Sequence, residues 1–391
     1  MSAAVIREVD VAVVGAGTMG SMALWHLSRM RGADGRPLRV LGLEQFGTVH
    51  THGAFSGESR LFRVAAKEGR LFVPAAREAR SQWLELGRLA GRDLLLPSGV
   101  LHIAPGGHAD LDATLAAIAE HGLPHRHLGA EDLRRQYPQF HVEDRDEGVL
   151  DELAGALRPE SAVHAASRQA VASGAEILHG TAVLGIEERA DGVRLSTSAG
   201  EVHAERVIVT AGPWTARLVP DLADLLTVRV LTLAWFVPED IGPFLPHRFP
   251  GFMRDLEELH VFGAPSLDGY SIKASPHLLL PDVARPEERP TELSREQLRW
   301  LGEQARRVIP ALDPEPVRWS VHTDSQSPDG RPLIDTLGDG RITVAAGMSG
   351  NGFKFAPVWG QAAAELAVTG SSRWQHEEFT LAHHRSVLAP V

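Results

Sequence analysis

The feature that most constrains this chain lies in its first 44 residues. Residues 9–14 (VDVAVV) form a short apolar run that reads as a buried strand, and they lead directly into Gly15-Ala16-Gly17-Thr18-Met19-Gly20. A helix is expected from Ser21 to about Met30, carrying Met22, Leu24, Trp25 and Leu27, followed by a turn over residues 32–37. Residues 38–43 then read as a second strand that ends on Glu44. In this arrangement Gly15 permits the tight turn, Gly17 lets a pyrophosphate approach the backbone, and Gly20 lets helix pack on strand. The helix N-terminus offers free N–H groups and the positive end of its dipole to phosphate. Glu44 can accept hydrogen bonds from ribose hydroxyls, and its charge disfavours a 2′-phosphate. The pattern is a dinucleotide-binding βαβ unit.

The rest of the chain does not continue as a plain doubly wound domain. Helices are expected at residues 74–91, 111–122, 159–174, 294–308 and 357–368. Strands are expected at 99–103, 177–178, 183–187, 193–196, 202–210, 227–236, 259–263, 270–274 and 342–346, and a solvated loop at 281–290. These elements point to an α/β dinucleotide domain interrupted by insertions and completed by the C-terminal segment.

Composition excludes other classes. The net charge is −11 with no basic stripe, which argues against nucleic acid, and no run of 18 apolar residues argues for a membrane span. Residues 1–8 are too short and polar for a secretory leader, so a cytoplasmic location is expected, as a monomer or small homo-oligomer. The absence of cysteine removes thiolate nucleophiles and cysteine-ligated metals. No metal site is expected; His50 and His52 lack a carboxylate partner. Of 39 basic residues only Lys67, Lys273 and Lys354 are lysine, which draws attention to each.

Three segments favour a flavin over a nicotinamide dinucleotide, because the longer cofactor collects contacts from separated parts of a chain. They are 207–214 (VIVTAGPW), 347–355 (GMSGNGFKF) and the unusual loop 50–63. With the fingerprint and Glu44, residues 57–63 (GESRLFR), 249–253 (FPGFM), Lys273 with His277, 327–329 (SPD) and Ile334-Asp335, these resemble the monomeric sarcosine oxidase, N-methyltryptophan oxidase and pipecolate oxidase family of D-amino-acid-oxidase-like flavoproteins. The resemblance spans nearly the whole chain and implies an α/β fold with an α+β substrate part: a discontinuous Rossmann-like FAD domain (1–90, 153–218 and 324–391) and a second domain on a mixed or antiparallel sheet (91–152 and 219–323). It implies FAD, an amino acid substrate with a carboxylate, dioxygen as acceptor, and oxidation of an N-methyl or cyclic secondary amino acid to an imine with release of hydrogen peroxide.

The resemblance also implies roles. Arg60 would lie at the flavin, while Arg63 and Lys354 would grip the substrate carboxylate. Two such cations repel unless an anion lies between them, which itself points to an acidic substrate. If residues 60–63 were helical, both arginines would share a face. Lys273, opposite to Ile272 by strand alternation, would face the flavin and promote reaction with oxygen. His277 matches an active-site histidine or else caps a loop, and Met253 and Phe262 would line the substrate pocket. The expected cofactor set is Gly15, Gly17, Thr18, Met19, Gly20, Glu44, Ser59, Arg60, Val183, Gly212, Trp214, Gly347, Gly350, Gly352 and Lys354.

Departures matter too. His322 falls where the family carries its flavin-linked cysteine, so the FAD is expected to be non-covalent, with a histidyl link through His322 as the lesser reading. Phe262, Ala66 and Asp324 stand where the family has tyrosines, which enlarges the pocket and favours a substrate bulkier than sarcosine. Rival readings are a dehydrogenase or demethylase using another acceptor, a catalytically decayed flavin module and, more distantly, an NAD-linked enzyme.

Overall fold

A computed structural model describes residues 5–69 and 71–388; residues 1–4 of the amino-terminal stretch weighed above as a leader lie outside it. Five parallel strands form the centre of the first sheet, in the spatial order Glu176–Leu178, Val40–Leu43, Val5–Val14, Gly200–Val209 and Ile342–Ala346. Val183–Arg189 and Gly192–Thr197 extend it antiparallel on one side, and Leu333–Leu337 pairs antiparallel with Ile342–Ala346. Parallel strands need both faces covered, and the segments nearest the cavity, residues 11–14, 40–43 and 207–209, are accordingly apolar. The helix Thr18–Leu27 covers one face together with Pro159–Ala172 and Gly352–Thr369. Gly360 allows the first and last of these to touch: a Cβ there would lie 2.5 Å from that of Met22.

The second sheet has eight strands, in the order Arg318–Gln326, Thr227–Phe236, Ile272–Pro276, Leu259–Ala264, Gly251–Leu256, Val100–Pro105, Asp146–Asp151 and His125–Gly129. All neighbours are antiparallel except Gly251–Leu256 with Val100–Pro105. Side chains alternate between its faces. One face carries Phe252, Val261, Ile272, Ala234 and Phe236 into a core shared with Leu301, Ala305 and Val308 of helix Arg295–Val308. That helix is stopped at its start by a capping box, Ser294 with Gln297. The other face carries Met253, Phe262, Lys273 and His322 towards the first sheet, and the functional cavity lies between the two.

Arg254, on the core face, has no exposed side-chain surface. Its guanidinium forms a two-pronged bond with the equally buried Asp146, Nη1 donating at 3.1 Å and Nη2 at 2.5 Å. No helix among the described residues is long and apolar enough to cross a membrane.

Several elements differ from expectation. The first helix begins at Thr18, not Ser21, because Gly17 serves as its N-cap and Gly20 is accommodated inside it; it ends at Leu27. The second strand starts at Val40. The last long helix starts at Gly352, with Pro357 inside it, so Lys354 belongs to its first turn rather than to a glycine-rich loop. Residues 281–290 include a short 3-10 turn at Pro286–Glu288.

Candidate functional site

A cavity of about 560 Å³ runs from the C-terminal ends of the parallel strands to the inner face of the second sheet. Open parallel sheets bind ligands at that end. It is lined by Gly15, Gly17, Thr18, Met19, Glu44, Ser59, Arg60, Val183, Gly212, Trp214, Gly347, Gly350, Gly352 and Lys354 from the expected cofactor set, and by Arg63, Met253, Phe262, Lys273, His277 and His322. Gly20 is not among the lining residues. It is a packing position: a Cβ there would lie 1.8 Å from the Gly15 carbonyl oxygen.

The phosphate end is built for close approach. Gly15 has φ +86°, and a side chain there would meet the Thr210 carbonyl at 2.8 Å. The Thr210 hydroxyl donates to the carbonyl of Gly15 at 2.7 Å and to that of Val14 at 3.1 Å, fixing the turn. At Gly17 a Cβ would find only Phe55, 3.9 Å away, so that glycine leaves space open to the cavity. The helix following it has no side-chain cap, which leaves its first N–H groups for a ligand. Glu44 accepts from the backbone N–H groups of Ala16 and Phe46, both at 2.9 Å. Burial raises its carboxyl above the usual range against the pull of those bonds. These residues fit an extended dinucleotide.

Residues 60–62 form a strand, not a helix, pairing with Gly155–Leu157. The shared helical face is therefore not formed: Arg60 lies in the strand and Arg63 just past its end, and both line the cavity. Arg60 turns back on its own loop, donating to the carbonyls of Ser59, Ala54 and Ser56 at 2.7–2.8 Å. Burial lowers it to about 10. The carbonyls of Gly57 and Ser59 accept from Lys273 Nζ at 3.1 and 2.8 Å. Glu58 between them adopts φ +66°, which places both carbonyls on the ammonium. Glu160 holds the same turn by accepting from the N–H groups of Gly57 and Glu58. Lys273 is 3% exposed, 5.3 Å from the ring centre of Trp235, and burial pushes its pKa well below that of a free lysine. Ile272 faces the core and Lys273 the cavity, as strand alternation requires.

Arg63 and Lys354 converge, but the anion between them is supplied by the chain. Glu68 Oε1 accepts from Arg63 Nη2 at 2.9 Å and from Lys354 Nζ. The expectation that the two cations stand without a resident anion is therefore corrected; their net charge with Glu68 is +1 rather than +2. Arg63 and Lys354 line the cavity and Glu68 does not, so it grips both from the far side. Burial alone would raise the Glu68 carboxyl, yet Lys354 and Arg63 outweigh it and hold the group below the ordinary carboxylate range. Burial lowers Lys354 to about 8 despite Glu68. Arg63 Nη1, fully buried, has no protein partner among the described residues. A buried guanidinium nitrogen left unpaired is costly unless something else completes it.

His322 shares hydrogen bonds with Ser320 Oγ (2.7 Å, at Nε2) and Ser56 Oγ (3.3 Å, at Nδ1). Burial lowers it to about 3, so the ring is neutral. Asp324, whose carboxyl burial raises, accepts from the Gly350 N–H and joins the second sheet to the loop before the last long helix. His277 donates its backbone N–H to the His260 carbonyl at 2.9 Å. His50 and His52 form a loop staple: His50 Nδ1 accepts from the N–H groups of His52 and Gly53, and the His52 ring stacks on Phe46; contrary to expectation, His50 does have a carboxylate neighbour, Glu44 Oε1 at 3.6 Å from its Nε2. His102, His108 and Asp255 have possible ligand atoms within 4.8 Å of one another, but both oxygens of Asp255 are already engaged by His102 and His260. Glu68, Glu58, Glu160, His260 and the His102–Asp255 pair were not singled out from sequence. Each depends on a partner remote in the chain.

Comparison with known proteins agrees with this geometry. The profile of the FAD dependent oxidoreductase (DAO) family matches residues 10–366. The chain is 32% identical over 368 residues to a monomeric sarcosine oxidase of Streptomyces avermitilis, covering 93% of this chain and 94% of that protein. It is 28% identical over 381 residues to an N-methyl-L-tryptophan oxidase of Salmonella dublin, covering 96% and 98%. Among solved structures, the amino acid oxidase NikD (Tyr258Phe mutant, open form) superposes with a TM-score of 0.83 at 24% identity, covering 96% of this chain and 97% of that one. An L-proline dehydrogenase from P. horikoshii superposes with a TM-score of 0.82 at 17% identity, covering 97% and 98%. These two likenesses concern the fold.

Proposed function

Because the chain belongs to the FAD dependent oxidoreductase (DAO) family, we propose that it is an oxidase of N-methyl or cyclic secondary amino acids that holds FAD without a covalent bond. The relatives named as sarcosine and N-methyl-L-tryptophan oxidases support the substrate class. The observation that carries the reading is the pairing of Arg63, whose buried Nη1 has no protein partner among the described residues, with Lys354: both residues line the cavity, and with Glu68 they keep one net positive charge.

In this reading Arg63 and Lys354 receive the substrate carboxylate, while Met253 and Phe262 confine its body. FAD, when bound, supplies a two-electron acceptor. The fingerprint glycines and the N-terminus of helix Thr18–Leu27 hold its phosphates, and Glu44 its ribose. The substrate C–H gives up a hydride equivalent and the amine nitrogen carries the resulting double bond; water later hydrolyses the imine. Dioxygen takes the two electrons and two protons to become hydrogen peroxide. Lys273 contributes a fixed ammonium, oriented by the Gly57 and Ser59 carbonyls, where negative charge develops on oxygen.

The neutral, doubly hydrogen-bonded His322 supports a non-covalent cofactor, since both its ring nitrogens already have partners in the chain. Acid precipitation tests this: a yellow supernatant over a colourless pellet is expected, and colour in the pellet overturns it. The activity is tested by peroxide release from a panel of N-methylated, cyclic and primary amino acids. Failure of every N-methylated and cyclic compound to bleach the flavin anaerobically refutes the assignment. Reoxidation by air then separates oxygen from another acceptor, because Lys273→Met slows that step by roughly 100-fold or more only if oxygen reacts there.

A further inference from the structure

The cavity face of the second sheet continues well beyond Lys273. In register, Ala264 lies opposite Lys273, Phe262 opposite Ser275 and Met253, and His260 opposite Asp255. His260 is thus four residues along the strand from the Lys273 row, roughly 13 Å at the ordinary strand rise. It lines the cavity beside Phe262, ring centres 6.1 Å apart. Its position is fixed from behind. Nδ1 lies 2.6 Å from Asp255 Oδ1, and Asp255 Oδ2 lies 2.6 Å from Nε2 of His102, which is 2% exposed.

An ionised carboxylate can only accept, so each ring directs an N–H at Asp255. The hydrogen-bond pattern therefore assigns the tautomers and leaves His260 Nε2, without a protein partner among the described residues, as the atom presented to the cavity. His277 lies against the same strand end, and Lys67 also lines the cavity. The carboxylates among the described lining residues are Glu44 and Asp324, and both stand elsewhere: Glu44 at the phosphate turn, Asp324 against Gly350. Asp255 has spent both oxygens on histidines, and Lys67 is paired with Asp110. The end of the cavity remote from Lys273 thus presents two histidines, His260 and His277, and no available acid among the described lining residues.

We propose that this end is a side-chain subsite, built on His260 and its Asp255–His102 support, for an amino acid whose side chain ends in a second carboxylate. The proposal rests on the reading above, in which Arg63 and Lys354 take the α-carboxylate. The arriving carboxylate is met at His260 Nε2, with Asp255 bonded to the other nitrogen of the ring. His277, whose backbone N–H is bonded to the His260 carbonyl, stands beside it. A glutamate-like chain then carries its second carboxylate to His260, and Met253 and Phe262, which line the cavity with it, pack against its methylenes.

The test compares N-methyl-L-glutamate with N-methyl-L-norleucine, an apolar chain of similar length, on the FAD-loaded enzyme without oxygen. Binding is read from perturbation of the flavin spectrum and turnover from its bleaching. A charge-assisted contact of this kind predicts that the dicarboxylate is favoured roughly ten-fold or more. His260→Leu is expected to shift the ratio towards the norleucine compound, and His260→Gln, which keeps a hydrogen-bonding amide without the ring, to fall between. Flavin content and melting temperature report whether each variant is folded. Equal handling of the two compounds by the unaltered enzyme overturns the proposal, as does a His260→Leu variant that retains the full preference. If neither compound bleaches the flavin but the dicarboxylate still binds preferentially in a His260-dependent way, the subsite stands and the assigned reaction falls.

Discussion

Replacing Glu68 by glutamine isolates what the resident anion does. Glu68 joins Arg63 and Lys354, whose side chains are only 7% and 6% exposed, so its removal raises their combined charge from +1 to +2 in a buried setting. Stripping one partner from a buried ion group costs about 3–5 kcal/mol, and the adjoining cavity admits water, which favours the lower end. For 391 residues the unfolding entropy is roughly 0.8 kcal/mol per degree, so about 3 kcal/mol lowers the melting temperature by roughly 3–4 °C. The same change strengthens anion binding. A carboxylate on the free Nη1 of Arg63 stands roughly 6 Å from the position of the Glu68 charge, and loss of that repulsion gives about 3 kcal/mol at an effective dielectric of 20, reduced by solvent to roughly ten-fold in affinity. A monocarboxylate such as propionate, at about 100 times its Kd, then restores about 2.7 kcal/mol, most of the lost stability. The assay is melting temperature against propionate concentration for both proteins, with chloride as control. A variant that melts like the parent and responds to propionate no more strongly refutes the reasoning.

Three further outcomes are expected. Gly20→Ala collides with the Gly15 carbonyl and costs about 3 kcal/mol or more, read as loss of soluble protein or a lowered melt, whereas Gly17→Ala changes apo stability by under about 1 kcal/mol but weakens FAD retention on a desalting column. Asp146→Asn strands the buried guanidinium of Arg254 and lowers stability by about 3–5 kcal/mol in urea unfolding, with no direct effect on the cavity. Carboxylate binding weakens as pH rises through about 8, because burial lowers Lys354 to that value and the ammonium is charged only below it; Lys354→Met abolishes this limb, as a titration of ligand affinity from pH 6 to 10 will show.

What could be read from the chain was whatever its neighbours in sequence decide. The fingerprint turn is local: Gly15 needs its positive φ for a bend completed within a few residues, and the acid that follows the second strand is 29 residues away. The direction of Lys273 was legible through alternation, since Ile272 is apolar and the strand has two faces, whereas its role came only with the family resemblance. The start of the first helix was placed late because glycine reads as a breaker, yet the contact of Gly20 with the Gly15 carbonyl demands that residue inside the helix. Pro357 misplaced the start of the last long helix in the same way. Glu68 carries no periodicity, and its meaning lies in Lys354, 286 positions later. The His102–Asp255 contact spans 153 positions and follows from the pairing of two strands that only the folded sheet brings together.

The order of strands in the first sheet has a consequence for synthesis. Val5–Val14 leaves the ribosome early, but its parallel neighbour on one side is Gly200–Val209, and Ile342–Ala346 closes the sheet beyond that. At about 5–20 residues per second, the nascent chain waits roughly a quarter of a minute to a minute between its first strand and its last. The phosphate turn cannot be complete before Thr210 arrives, nor the anion clamp before Lys354. Cofactor loading is therefore a late event, and a chain released before residue 354 has neither a closed sheet nor a carboxylate grip.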